Sequence, residues 1–132
     1  MNVKSIAITK KENYRTQIQT DPHHFIVDEP ISVGGKDFGP SPGELLAASL
    51  ASCSSITVKL YADRKGWDLQ EVEVEVDFER DAKFNVTKFT KKLKFTGDLS
   101  QEQIDKLYEI AGKCPIHRML ANPIEISSEV VK

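Results

Sequence analysis

Between Leu69 and Arg80 the apolar and charged positions alternate one for one. Val72, Val74, Val76 and Phe78 fall on one parity, and Glu71, Glu73, Glu75, Asp77 and Glu79 on the other. A period of two belongs to a strand with one buried face, so LQEVEVEVDFER predicts a long β-strand. Residues 86–96, VTKFTKKLKFT, predict its antiparallel partner. There Phe89, Leu93 and Phe95 share one face, and Lys88, Lys92 and Lys94 share the other. Pairing the two strands sets an acidic row beside a lysine row, a favourable cross-strand arrangement. Such a charge run reads as the solvated face of a sheet. Upstream, residues 3–9 (VKSIAIT) and 14–19 (YRTQIQ) alternate more loosely and are joined by the polar KKEN, which predicts a hairpin. HFIVDEP continues as a third short strand that stops at Pro30, before the Gly- and Pro-rich loop SVGGKDFGPSPG.

The period then changes. Ser41-Pro42-Gly43-Glu44 fits a capping box with Pro42 at the first helical position. LLAASLASCSSITVKLYADRK follows, and Gly66 is the natural stop. The predicted helix has about 24 residues and is ~36 Å long. Its first two-thirds is apolar or small on every side, the pattern of a helix buried all round. Ser100 to Gln103 is a second capping box. Ile104, Leu107, Tyr108 and Ala111 continue at helical spacing to Gly112. Cys114-Pro115 opens a short helix, PIHRMLA, which Asn122-Pro123 ends, and IEISSEVV predicts a closing strand. The order is three strands, a long helix, two strands, two helices and a strand. That is an α+β fold with antiparallel sheet, in one domain over residues 1–132. A helix apolar all round needs cover all round. One modest sheet supplies one side, so the pattern predicts a homodimer packed around this helix.

Composition narrows the function. Apolar residues make up 39% of the chain, and 18 Lys and Arg stand against 20 Asp and Glu, so neither a nucleic-acid nor an acidic-membrane partner is expected. The N-terminal residues MNVKSIAITKKENY carry no signal-peptide core, and no uninterrupted apolar run approaches the roughly 20 residues of a membrane span. The expected location is therefore the cytoplasm, where stable disulfides are rare and cysteines tend to be reactive or metal-binding.

The chain has two cysteines, Cys53 and Cys114. Cys53 sits inside the long helix with Ser52, Ser54 and Ser55. Cysteine in such a place is ordinarily a small buried hydrophobe. Cys114 precedes Pro115 at a helix start, where outward-pointing N–H groups favour the thiolate. A rival reading is a metal site: Cys114-Pro-Ile-His117 has ligand-like spacing, and Cys53, His23 and His24 could complete a set. The chain has no C-x-x-C pair to support it.

GGKDFGPSPGELLAASLASCSSITVKLYADRKGW, followed by Cys114-Pro-Ile-His-Arg-Met-Leu-Ala-Asn-Pro-Ile-Glu-Ile, resembles the OsmC/Ohr family of osmotically inducible and organic hydroperoxide resistance proteins. The resemblance covers nearly the whole chain. It implies the OsmC-like fold, with antiparallel sheets wrapped around long central helices in an intertwined homodimer. It also implies a thiol peroxidase of peroxiredoxin type acting on small organic hydroperoxides. By resemblance Cys53 attacks the peroxide and becomes a sulfenic acid, and Cys114 resolves it as a disulfide. A dithiol reductant then restores both thiols; in the organic-hydroperoxide branch this is a protein-bound lipoyl group. No metal or bound cofactor is implied. The family stabilises the thiolate with an arginine held by a glutamate. The matching residues are Arg15, with Arg64, Arg80 and Arg118 as alternatives, and Glu44. Glu44 stands nine residues before Cys53; the place ten before, used in the organic-hydroperoxide branch, is Gly43. A non-enzymatic reading stands beside this one: a hydrophobic-ligand-binding or redox-sensing module.

Overall fold

In the computed structural model, residues 2–131 are described. Three short strands, β1 (Ile6–Thr9), β2 (Thr16–Gln19) and β3 (His24–Val27), form an antiparallel sheet in that order. Ala7 pairs with Ile18, and Ile18 with Phe25. A single 3₁₀ turn, Ile31–Val33, follows. The loop around it is organised by Asp28, which is 2% exposed. Its carboxylate accepts from the backbone N–H groups of Glu29 (2.8 Å), Lys36 (3.3 Å) and Phe38 (3.2 Å). Burial pushes the Asp28 carboxyl up. The three N–H donors and nearby Arg15 outweigh it and leave the group below its ordinary value. Gly39 fits here because a Cβ would collide with the Ile26 carbonyl oxygen.

Helix α1 runs Pro42–Lys65 and ends at Gly66, whose φ of 70° suits a residue without a Cβ. The predicted capping box is present: Ser41 N–H donates to Glu44 Oε1 (3.0 Å) and Glu44 N–H to Ser41 Oγ (3.2 Å). Strands β4 (Asp68–Asp81) and β5 (Val86–Asp98) form a long antiparallel ribbon. Its register places Glu73 opposite Lys94, Glu75 opposite Lys92 and Glu79 opposite Lys88, the predicted acid–lysine rows. On the other face Val72 meets Phe95, Val74 meets Leu93, and the Phe78 and Phe89 rings lie 4.9 Å apart. Helix α2 (Gln101–Ala111) begins at the Ser100–Gln103 capping box, and α3 (Pro115–Leu120) has Cys114 as its N-cap.

The chain divides into two compact units that meet in sequence between Leu46 and Ala47. The core of the second is Val58, Ala62, Leu69, Leu107 and Ala111, flanked by Tyr61, Trp67, Leu93 and Phe95.

Two expectations are corrected. Residues 123–131 form no strand: Ile124, Ile126, Val130 and Val131 are exposed, and the segment has no ladder partner among the described residues. Alternation marks an apolar face, but a strand also needs a neighbouring edge. Within one chain α1 buries a single stripe at spacing four, Leu50, Ser54, Val58 and Ala62, while Leu46, Ile56 and Leu60 are exposed, on the sides for which the sequence expects cover from a second copy. Finally, α1 is long and apolar enough to cross a membrane by length and composition alone. Core helices meet the same criterion, and the α1 stripe is part of a packed core.

Candidate functional site

The second unit gathers its polar chemistry around one buried hydroxyl. Ser54 lies on the inward stripe of α1 and is fully buried. A hydroxyl there needs partners, because a lone buried polar group is costly. It has two: Cys114 Sγ at 3.4 Å and Lys91 Nζ at 3.1 Å. Cys53 is next to Ser54 on α1, about 100° around the helix, and is half-buried. Cys114 is completely buried and accepts the His117 backbone N–H at 3.3 Å. The two cysteines are neighbours, each shifting the other's thiol equilibrium, and both are free thiols.

Lys91 comes from β5. Its Nζ also donates to the Ala111 carbonyl oxygen at 2.9 Å, just where α2 ends. The ammonium thus ties the ribbon to the last residue of α2 and to α1.

The two thiols are not equivalent. Burial pushes the Cys114 thiol up. Hydrogen bonds from Ser54 and from the His117 N–H, then the neighbouring Cys53 and the Lys91 charge, outweigh burial and bring it below the ordinary thiol value. Burial pushes Cys53 up; the Ile116 N–H and Thr57 oppose this, but Cys114 adds to it and Cys53 stays raised. Within the pair, Cys114 is the thiol shifted toward the thiolate and Cys53 the one shifted toward the neutral form. Burial lowers Lys91 despite the pull of Cys114 and Cys53. Burial and then Lys91 repulsion lower His117, so its ring is neutral at neutral pH.

Arg15 and Glu44 lie in the first unit. Arg15 immediately precedes β2. Its guanidinium stands 5.7 Å above the Phe38 ring, beside Asp28, at a cavity of about 400 Å³ that Lys10 and Lys36 also line. Glu44 is engaged with Ser41, whose hydrogen bonds hold its carboxyl below the ordinary value. Among the described residues the ion pairs are Lys59–Asp63, Lys92–Glu75, Lys106–Glu109 and Lys113–Glu109; none joins Arg15 to Glu44. Arg64 falls in the last turn of α1, Arg80 hydrogen-bonds Asn85, and Arg118 lies on α3. The Cys/His zinc reading finds no support, since no three His, Cys, Asp or Glu side chains among the described residues gather as metal ligands.

Lys91 and Ser54 were not anticipated from sequence. The signal for Lys91 was present. Parity puts it between Phe89 and Leu93 on the apolar face of β5, and it is the one charged residue in the row Phe89, Lys91, Leu93, Phe95. A lysine facing inward in an otherwise strict alternation requires a buried acceptor. Ser54 had no comparable signal, being one of three serines around Cys53.

A family profile described as OsmC-like protein matches residues 34–129. Among curated proteins none matches the chain. Several solved structures do. A Psychrobacter arcticus protein, provisionally assigned to osmotic stress and detoxification response, is 26% identical, with a TM-score of 0.74 over 89% of this chain and 87% of its own. An OsmC-like protein of Mycoplasma pneumoniae is 20% identical, with a TM-score of 0.78 over 92% and 88%. The organic hydroperoxide resistance protein OhrB of Bacillus subtilis is 21% identical, with a TM-score of 0.60 over 89% of both chains.

Proposed function

The chain belongs to the OsmC-like family, and from that premise we propose that it is a thiol-dependent peroxidase that reduces small organic hydroperoxides through Cys53 and Cys114. The observation that carries the reading is the thiol pair itself. Two free cysteines, 61 residues apart in sequence, lie near each other inside one packed unit, one of them half-buried and the other fully buried. Burial of a lone structural cysteine requires no second thiol. A peroxidase requires one that is reachable and another close enough to resolve it. Cys53 is the reachable one and attacks the O–O bond. Cys114 displaces hydroxide from the resulting sulfenic acid and closes the disulfide. A dithiol reductant, for which a lipoyl group on a protein is the fitting class, then reopens it by exchange. The expected result is steady consumption of tert-butyl hydroperoxide in the presence of a dithiol such as dihydrolipoamide, followed by loss of the peroxide. Ligand affinity without any peroxide turnover would count against the enzyme and favour a binding module.

The reading includes a homodimer. Leu46, Ile56 and Leu60 on α1 are 40%, 57% and 59% exposed, and apolar positions along one central helix are what a second copy would cover. Analytical ultracentrifugation should give twice the chain mass of 14.8 kDa. A strictly monomeric protein at micromolar concentration would contradict this.

A further inference from the structure

We propose that Lys91 is the resident cation of the thiol site, holding Cys114 as a thiolate through Ser54, and that Cys114 is the base that deprotonates Cys53 for attack. The inference rests on the peroxidase reading for its second half only.

The hydrogen-bond directions carry it. An ammonium is a pure donor, so Ser54 Oγ accepts from Lys91 at 3.1 Å. Neighbouring Ser52 and Ser55 give their hydroxyl protons to helix carbonyls, those of Ser49 and Ser52. Ser54 has a different partner, Cys114 Sγ at 3.4 Å. With Lys91 donating to it, Ser54 directs its own proton at Cys114. The sulfur also receives the His117 N–H at 3.3 Å. An atom met by donors alone is one built to carry negative charge. Cys53 from α1, Lys91 from β5 and His117 from α3 are the titratable groups placed around Cys114, and α2 contributes the Ala111 carbonyl that fixes Lys91.

The chemistry balances without a further participant. In the proposed cycle the pair starts as Cys53–SH with Cys114–S⁻. As the peroxide arrives, the Cys53 proton passes to Cys114. The Cys53 thiolate attacks the distal peroxide oxygen, an S–O bond forms and the O–O bond breaks. The departing alkoxide takes the proton from Cys114 and leaves as the alcohol. Cys114, again a thiolate, attacks Cys53 Sγ; the S–S bond forms, the S–O bond breaks, and hydroxide leaves to become water with a solvent proton. The thiol pair is oxidised by two electrons and the hydroperoxide is reduced by two. The external dithiol closes the cycle.

The test separates the two halves. In Cys53→Ser protein, which keeps a hydroxyl donor beside Cys114, the ultraviolet absorbance of the single thiolate is followed against pH. Cys114 should titrate below the free-thiol midpoint of about 8.5. Adding Lys91→Met should raise the midpoint by about one unit, leaving roughly tenfold less thiolate at neutral pH. Lys91→Arg should retain most of the lowering, and Ser54→Ala, a smaller change within α1, should raise the midpoint like Lys91→Met. In the Cys53-containing enzyme the acid limb of kcat/KM should move up in pH by the same amount. A midpoint above the ordinary value in Cys53→Ser protein, or one indifferent to both Lys91→Met and Ser54→Ala, overturns the inference. The titration requires no turnover, so failure of the peroxidase reading would leave it standing.

Discussion

Cys53→Ser lowers hydroperoxide turnover by roughly a thousandfold or more, the scale seen when the attacking nucleophile of an enzyme is removed. Access as well as chemistry assigns the attack to Cys53. Cys114 is fully buried and Cys53 only partly so; a peroxide meets Cys53 first. Serine keeps roughly the size of the side chain, but its hydroxyl does not ionise near neutral pH and does not cleave an O–O bond. Folding should survive, because position 53 flanks the buried stripe of α1 and three serines already stand within two residues of it. Cys114→Ser behaves differently. It permits one round of peroxide reduction and then stalls as a sulfenic acid on Cys53. A stopped-flow assay of peroxide consumption distinguishes the two variants. Wild-type rates in Cys53→Ser would remove Cys53 from the attacking role.

Leu107→Ala destabilises the protein by about 2–5 kcal/mol, the range for deleting a buried leucine. Leu107 has no exposed surface and packs with Val58, Ala62, Leu69 and Ala111. It therefore joins α2 to α1 and to the start of β4, and a cavity there has no flexible neighbour to fill it. For a domain of this length the loss corresponds to a fall in Tm of ~10 °C or more. The site should loosen with it, since Ala111, in the same core, supplies the carbonyl that anchors Lys91. Thermal and urea unfolding measure the effect. A change under about 1 kcal/mol would mean that the core reorganises around the gap.

Much of the fold was legible because local rules carry it. The β4–β5 ribbon follows from strict alternation, and its register satisfies the acid–lysine rows residue by residue. The boundaries of α1 and α2 follow from Ser41, Gly66 and Ser100, where short-range hydrogen bonds or a positive φ decide the matter. Three features depended on neighbours that a pattern does not name. Residues 123–131 alternate like a strand but have no edge to pair with among the described residues. Within one chain α1 buries one stripe, because burial is set by what packs against a helix. Asp28, unremarkable in HFIVDEP, becomes the anchor of the following loop through three backbone donors.

The site divides in the same way. Cys53 and Cys114 were singled out by type and placement, and they come together. The resemblance points to an arginine, Arg15 first, as the cation; the cation hydrogen-bonded to Ser54 is Lys91. Strand parity was sufficient to set Lys91 apart from Lys92 and Lys94; its acceptors, Ser54 and the Ala111 carbonyl, could be known only from packing. Glu44 serves the cap of α1, and Arg15 has Phe38 and Asp28 as neighbours.

The most direct test of the central claim is peptide mass spectrometry of the fully reduced protein after one equivalent of an alkyl hydroperoxide, with Cys114→Ser alongside. The account predicts a Cys53–Cys114 disulfide in the wild type and a trappable sulfenic acid on Cys53 in the variant. Two unmodified thiols in the wild type, with the peroxide unconsumed, would contradict it.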